Sequence, residues 1–242
     1  MKFKTAFIYQ VKRQLLSLGI FLVFWFVFTF GISFILMIVS KGDVHTTNDF
    51  TFATIAYIIL LSCMMMKKDF RFFIQNGLSR GHIFLVNVLS TTLSALLLGL
   101  MTQFTLHQFT FGNGDTFRFT NIFVTIYKPS QWLISLGLIW MLLLWINSVA
   151  ILVGGFLNRI RGWLRILLII IFIISPTILV GFVGATMPTN HQITIFVAQC
   201  VGLPNGLPNI GGLSVTLSIL ILINLGLTYL FNRRQPIVRI DG

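Results

Sequence analysis

The chain has 242 residues, of which 56% are hydrophobic and 9% are charged, and this composition excludes a soluble globular protein, whose surface needs far more charge. Its net charge of +12 arises from 17 Lys and Arg against five acids, all of them Asp. The basic residues lie between long apolar runs, and no nucleic-acid-binding module is visible. We therefore expect an integral membrane protein that contacts anionic lipid and no nucleic acid.

The amino-terminal segment, residues 1–18, predicts an amphipathic helix. Phe3, Phe7 and Val11 are spaced four residues apart, and four Lys or Arg lie among them. Apolar residues at this spacing share one face of an α-helix, which favours a helix lying in the membrane interface before the first span. A basic tail without regular structure is the alternative, and the regular apolar spacing disfavours it.

Six apolar runs follow, and each is compatible with the roughly 20 residues that a membrane-spanning helix needs. Lys and Arg are concentrated at the amino terminus and after the second, fourth and sixth runs, and the positive-inside rule places these segments in the cytoplasm. The sequence predicts an all-α plasma-membrane protein of one domain, residues 1–242, with both termini inside. The predicted spans cover residues 19–40, 50–66, 83–106, 131–156, 166–185 and 213–231.

The segment 67–82, between the second and third predicted spans, is short, basic and aromatic. Phe70, Phe73, Ile74 and Gly77 recur at helical spacing, and glycine is common just past the end of a helix. This pattern favours a brief amphipathic helix across a cytoplasmic loop. An ordinary basic loop is the alternative, and the spacing alone fits it equally well.

The segments on the opposite side of the membrane differ in character. Phenylalanine alternates with polar residues on both sides of a Gly/Asn turn at 112–115, which predicts a small β-hairpin, with an irregular loop as the alternative. Residues 186–212 contain three prolines around an apolar patch that is too short to span, which predicts one or two re-entrant or interfacial helices. Residues 41–49 predict a short polar loop.

Enzyme motifs are missing from the sequence. A chain without Glu cannot contain the His-Glu-x-x-His zinc motif, and no Gly-x-x-x-x-Gly-Lys-Ser/Thr phosphate-binding loop occurs. None of the four histidines pairs with a serine in a recognisable motif. No Lys or Arg falls inside a predicted span, unlike in proton- or ion-coupled transporters. We expect no catalytic residue, metal site or cofactor site in this chain.

Polar residues deep in the predicted spans are few. Asn147 and Ser148 lie in the fourth span, and Asn224 lies in the sixth. These side chains could line a translocation pathway or form hydrogen bonds between helices. We favour hydrogen bonding between helices, because this is the usual role of amides and hydroxyls inside membrane helix bundles.

The layout and one local sequence resemble ABC-2 type exporter permeases. The segment Asp69-Phe-Arg-Phe-Phe-Ile-Gln-Asn-Gly-Leu-Ser-Arg80 is similar to the coupling-helix region of small permeases from low-GC Gram-positive bacteria. In those proteins an Asn-Gly-(Val/Leu)-Ser-Arg stretch leads into the third span. The resemblance implies a contact with a separate ATPase subunit, made by Asp69, Phe70, Arg71, Phe73, Ile74, Asn76, Gly77 and Arg80.

The resemblance implies an exporter in which two permease subunits, identical or related, form the pathway. ATP and Mg²⁺ would bind in the partner ATPase, so this chain would itself be no enzyme. Spans without fixed charge and 25 phenylalanines suit an amphipathic or hydrophobic cargo such as a peptide, drug or lipid, although most of these rings could simply face lipid. A non-transporting immunity or assembly factor is the alternative, and the missing acids disfavour an intramembrane enzyme.

Overall fold

The structure is a computed structural model that describes residues 2–39, 46–108, 110–111, 117–129, 131–157, 163–164, 191–203 and 207–233. Seven helices and three short strands make up this part of the chain. In chain order they are α1 Lys2–Val39, β1 Thr46–Asp49, α2 Phe50–Gln75, α3 Arg80–Gln108, β2 Thr110–Phe111, β3 Phe117–Thr120, α4 Ile122–Tyr127, α5 Trp132–Leu157, α6 His191–Val201 and α7 Ile210–Arg233.

Four helices are long and apolar enough to cross a membrane, which indicates a membrane-embedded protein. Their candidate segments are Lys2–Leu36, Arg80–Thr105, Trp132–Leu157 and Ile210–Phe231. They coincide with the first, third, fourth and sixth predicted spans. The second predicted span lies in α2, whose described apolar part, Phe50–Ser62, is shorter, and the fifth, residues 166–185, lies outside the described residues.

The long helices run between two ends of the molecule. At the turn end, residues 76–79 join α2 to α3, Lys2 Nζ lies 3.1 Å from where a Cβ on Gly77 would be, and Arg80 Nη1 donates a 2.6 Å hydrogen bond to the Arg233 carbonyl. The opposite end, the sheet end, carries the three strands with α4 and α6. Therefore α1 and α3 run towards the sheet end, and α2, α5 and α7 run towards the turn end.

The buried core lies where α2, α3 and α5 pack together. Phe50, Tyr57, Leu98 and Leu143 belong to one buried cluster, against which Leu18 of α1 also packs. By contrast, α1 and α7 leave most of their apolar residues exposed on their outer faces. Exposed apolar faces of this kind are those that lipid covers in a membrane-embedded helix bundle.

The sheet end confirms the predicted hairpin and adds a strand. β2 and β3 are antiparallel, with Phe111 opposite Phe117. β1 pairs with β3 in parallel, so the prediction of a polar loop over residues 41–49 is wrong for residues 46–49. Asp49 is the last residue of β1, and Asn121 directly follows β3. The Asp49 side chain accepts the Thr51 N–H at the start of α2, and the Asn121 side chain accepts two N–H bonds at the start of α4. β1 could not be predicted from the local sequence, because it is short and polar and its partner β3 lies far along the chain.

Part of residues 186–212 forms the non-spanning helix that the sequence predicts. Helix α6 has 11 residues, about 17 Å at the usual helical rise, which is too short to cross a bilayer. It is tied to α4, because the Tyr127 hydroxyl donates a hydrogen bond to the Val201 carbonyl. Burial raises the pKa of the Tyr127 hydroxyl, which keeps it protonated as a donor.

Two helices predicted as separate elements are continuous with their spans. Residues 2–18 are the first half of α1, an unbroken helix of 38 residues, and residues 67–75 are the last turns of α2. The predicted short helix over residues 67–82 is thus a helix end, a turn at 76–79 and the start of α3. Gly19 does not interrupt α1, since a helical glycine costs only about 1 kcal/mol, less than tertiary packing supplies.

Gly77 ends α2 as the sequence predicts. Its φ is +74°, and the backbone N–H groups of Gly77 and Leu78 donate to the carbonyls of Ile74 and Phe73 at 2.9 and 3.0 Å. These two bonds with a left-handed glycine define a Schellman motif, which satisfies the last carbonyls of the helix. Leu78 then packs against the cluster around Phe73. The turn is therefore a fixed structure.

We expect Gly77→Ala to destabilise the protein by about 1–2 kcal/mol, because an L-side chain is strained at this left-handed φ. Gly81→Ala is the matched control, since a Cβ at Gly81 in α3 meets nothing within 4 Å and its helical φ suits alanine. The control should stabilise the protein by about 0.4–1 kcal/mol. Unfolding titrations in detergent measure both changes, and equal effects of the two substitutions contradict the assigned turn.

Candidate partner-docking site and buried polar network

The turn end is held together by an apolar cluster from three helices. Its buried members are Ala6 of α1, Phe70 and Phe73 of α2, and Ile83 and Val86 of α3. The amphipathic face predicted for residues 1–18 therefore packs on α2 and α3, with Phe3 and Phe7 against the same cluster. The protein itself therefore covers this apolar face.

The cluster contains the apolar residues of the expected ATPase contact. Phe70 and Phe73 are only 8% and 2% exposed, and Ile74 packs against them. These three residues, expected as the apolar part of the contact, lie in the core of the turn end. Their i, i+3 and i+4 spacing did mark a buried face, but one covered by α1 rather than by a second protein.

The polar residues of the predicted contact have different positions. Asn76 is exposed and its side-chain amide donates to the Phe72 carbonyl at 2.7 Å, and Gly77 is exposed beside it. Arg80 is held against the carboxyl end of α7 by its bond to Arg233. For Asp69 and Arg71 only the backbone, within α2, is described. The exposed part of the stretch is thus the turn itself.

An exposed aromatic residue beside the turn was missed by the sequence analysis. Phe72 is 45% exposed and stacks on Tyr9 of α1, with ring centroids 5.3 Å apart. The helical spacing placed Phe70, Phe73 and Ile74 on one face of the predicted contact, and Phe72 was not included in it. Two adjacent phenylalanines point about 100° apart on a helix, so the one that is exposed is known only once the buried face is known.

Ser79 and His82 pair at the start of α3. The Ser79 hydroxyl lies 2.7 Å from His82 Nδ1 and also accepts a 3.4 Å bond from the His82 backbone N–H. The residues are three apart, as in the reciprocal contact of a capping box. The Phe3 ring lies at 5.7 Å from the imidazole, and the described residues supply no carboxylate to it. We therefore assign this pair to helix capping.

A buried network of hydrogen bonds crosses the middle of the helices, centred on Asn147. Its Oδ1 accepts from the Ser62 hydroxyl at 2.7 Å, and its Nδ2 donates to Thr91 Oγ1 at 2.9 Å. One amide thus joins α5 to both α2 and α3. Beside it, Asn224 Nδ2 of α7 donates to Ser148 Oγ at 3.1 Å. The structure places all three predicted deep polar residues in interhelical hydrogen bonds.

The same network reaches α1 through Gln14. Its Nε2 donates to Ser90 Oγ at 2.9 Å, and its Oε1 accepts from Ser94 Oγ at 2.6 Å. The Gln14 carbonyl also accepts a bond of 3.4 Å from the Tyr57 hydroxyl. Gln14 was not among the predicted polar residues. A signal for it was present in the sequence, because Gln10 and Gln14 are spaced about one helical turn apart, next to the basic residues.

The arrangement joins the helices to one another through side-chain hydrogen bonds. Within the described ranges there is no group of three His, Cys, Asp or Glu that could hold a metal ion. The network consists of amides and hydroxyls, which carry no charge and transfer no proton at neutral pH. It does connect the five long helices, and α2 extends from this network, at Ser62, to the exposed turn at Gly77.

Comparisons with known proteins add no family to this picture. The chain matches no protein-family model, no curated protein and no solved structure.

The burial of Phe73 gives a test that separates the structure from the sequence expectation. Phe73→Ala should destabilise the protein by about 3–5 kcal/mol, as the truncation of a buried phenylalanine does. Phe72→Ala, at the neighbouring half-exposed position, should cost less, about 0.5–1.5 kcal/mol, because it loses the stack on Tyr9 but leaves no buried cavity. Unfolding titrations of both variants measure the difference. Equal stabilities would show that Phe73 is exposed.

The Asn147 bridge is tested by a double-mutant cycle with Ser62. Ser62→Ala and Asn147→Ala should couple by about 0.6 kcal/mol, up to about 1.7, the range for hydrogen bonds between membrane helices. The control cycle combines Ser62→Ala with Asn224→Ala, since Asn224 bonds Ser148 and should not couple to Ser62. A coupling as large in the control cycle rules out a specific Ser62–Asn147 bond.

Proposed function

We propose that this chain is the membrane-spanning permease subunit of an ATP-driven ABC exporter of the ABC-2 type. The observation that carries the proposal is the course of α2, which runs unbroken from the sheet end, through the contact of Ser62 with Asn147, to the exposed turn at Gly77. A rigid helix that links an exposed turn to the inside of the bundle is what a partner needs to move the membrane helices. The resemblance of residues 69–80 to a coupling-helix region supports the same assignment.

The proposed mechanism uses two arrangements of the helices. A displacement of the turn moves α2 as one body, because its last turns are packed on α1 and α3 through Phe70 and Phe73. The moving helix must break or exchange its bonds to Asn147, and such directional bonds favour discrete arrangements over continuous bending. ATP binding in the partner biases one arrangement through its different contact with the turn.

The rest of the proposal follows the sequence analysis. Separate ATPase subunits hold ATP and Mg²⁺, and a second permease subunit, identical or related, completes the pathway. The turn end faces the cytoplasm of the plasma membrane, supported by the concentration of Lys and Arg there. The cargo is amphipathic or hydrophobic and moves outward, supported by spans that lack fixed charge.

A non-transporting membrane protein, such as an immunity or assembly factor, is the second candidate. The observation that favours it is the burial of Phe70 and Phe73 inside the chain, since these rings were the expected contact with an ATPase. A protein that acts alone requires a stable turn end but no exposed contact there. The two candidates therefore differ in whether a soluble ATPase binds at the turn.

Affinity purification from the native membrane tests the proposal. An ATPase subunit should be recovered with the tagged chain, and its ATP hydrolysis should change when the chain is present. In a variant with Cys63 and Cys200 replaced by alanine, a polyethylene glycol maleimide attached at Asn76→Cys should block this association. The same group at Leu207→Cys, exposed at the sheet end, should leave it intact.

The possible results separate the two candidates. If no ATPase is recovered with the unmodified chain, the exporter assignment is wrong and the stand-alone protein is favoured. If the ATPase binds but tolerates the bulky group at Asn76, the exporter stands and the turn is not its contact.

A further inference from the structure

The turn end carries an exposed aromatic pair, Tyr9 of α1 and Phe72 of α2. Both side chains are 45% exposed, and their rings stack at 5.3 Å with an interplanar angle of 28°. The neighbouring residues Gln75 and Asn76 are exposed and polar. An apolar surface with a polar rim is typical of a protein contact, where buried aromatic residues contribute most of the binding free energy.

The pair is fixed before any partner arrives. Tyr9 also makes an edge contact with Phe73, at 6.3 Å and 89°, and Phe72 contacts the same ring at 5.5 Å and 61°. Phe73 is buried and cannot turn without breaking the cluster around it. Rings held in this way lose little conformational entropy on binding, which increases the affinity that a given contact area provides.

Phe72 lies beyond the apolar part of α2, Phe50–Ser62. It comes 22 residues after Phe50, which is about 33 Å along the axis of α2, against a hydrocarbon core of about 30 Å. Helix α1, with 38 residues and a length of about 57 Å, also exceeds that core, and it begins beside Gly77. A bilayer that covers the apolar part of α2 therefore leaves the turn end outside the hydrocarbon.

The charge around the pair selects an acidic partner. The carboxylate of Asp49 lies at the sheet end, where it caps α2. Within α1, α2, α3 and α7 the one acid is Asp69, three residues before Phe72. Six basic side chains are described at or near the turn end and face solvent fully or in part. They are Lys2, Lys4, Lys12, Arg13, Arg80 and Arg233. A surface with this excess of positive charge attracts and orients a partner that carries carboxylates.

We propose that Tyr9 and Phe72 form the apolar anchor of a composite docking surface, made by α1 and α2 together, on which the ATPase subunit seats an acidic cleft. The proposal rests on the proposed function and names which residues and which partner chemistry make the contact. The proposed anchor differs from the contact expected from the sequence in two ways. It uses Phe72 in place of Phe70 and Phe73, and it includes a residue of the amino-terminal helix, Tyr9. Lys2, whose Nζ lies next to Gly77, is at its rim and sets orientation more than affinity.

Photo-crosslinking in the native membrane tests the surface. A benzophenone amino acid at position 9 or 72 should crosslink to the ATPase subunit, at a peptide rich in Asp and Glu. The control position is Phe52, which is 66% exposed near the sheet end and should give lipid adducts only. Lipid adducts at 9 and 72 while the ATPase still co-purifies, or a crosslinked ATPase peptide without carboxylates, overturn the inference and leave the exporter assignment standing.

Binding measurements with the purified ATPase subunit complete the test. Phe72→Ala should weaken binding by at least about tenfold, the effect of truncating an aromatic anchor, and binding should weaken further as the salt concentration rises. Phe52→Ala lies far from the stack and should bind as the unaltered chain does. Unchanged binding by Phe72→Ala overturns the inference, whereas failure of the unaltered chain to bind any ATPase subunit overturns the proposed function as well.

Discussion

The packing of the long helices depends on the rule that a polar group inside an apolar bundle must find its hydrogen-bond partner within the protein. Asn147 meets this requirement with both ends of one amide, accepting from Ser62 on α2 and donating to Thr91 on α3. Each bond fixes the height and rotation of one helix against α5. Apolar contacts alone would allow these helices to slide slightly past one another. A hydrogen-bonded amide resists such sliding, because the movement would leave a buried polar group without its partner, which is costly.

At the turn end, apolar side chains rather than hydrogen bonds hold the helices together. Three segments that are far apart in the sequence cover one another: the start of α1, the end of α2 and the start of α3. Phe73 lies at the centre of this contact, and the Schellman turn at Gly77 lets α3 return immediately alongside α2. The result is a compact helical end that presents Tyr9 and Phe72 outward. A partner that binds there contacts two helices at once.

The turn-end cluster and the interhelical hydrogen bonds together define how a force at the turn would reach the rest of the protein. The turn-end cluster fixes the end of α2 to α1 and α3, and the Asn147 and Gln14 contacts fix the same helices at mid-length. A movement of α2 must therefore shift several helices together. This linkage between the helices is the property on which the proposed function rests.

The sequence alone determined the membrane-embedded helical class, the approximate positions of four spanning helices, the helix end at Gly77 and the hairpin at the sheet end. These features depend on composition, apolar run length and local turn chemistry, which are properties of neighbouring residues. The tertiary structure decided that residues 2–18 pack on protein, that Phe73 is buried while Phe72 is exposed, that β1 pairs with β3, and that Gln14 and Asn147 bridge helices. Each of these depends on contacts between segments distant in the chain. An amphipathic pattern predicts that the apolar face of a helix will be covered, but it does not identify which helix, lipid or partner covers it.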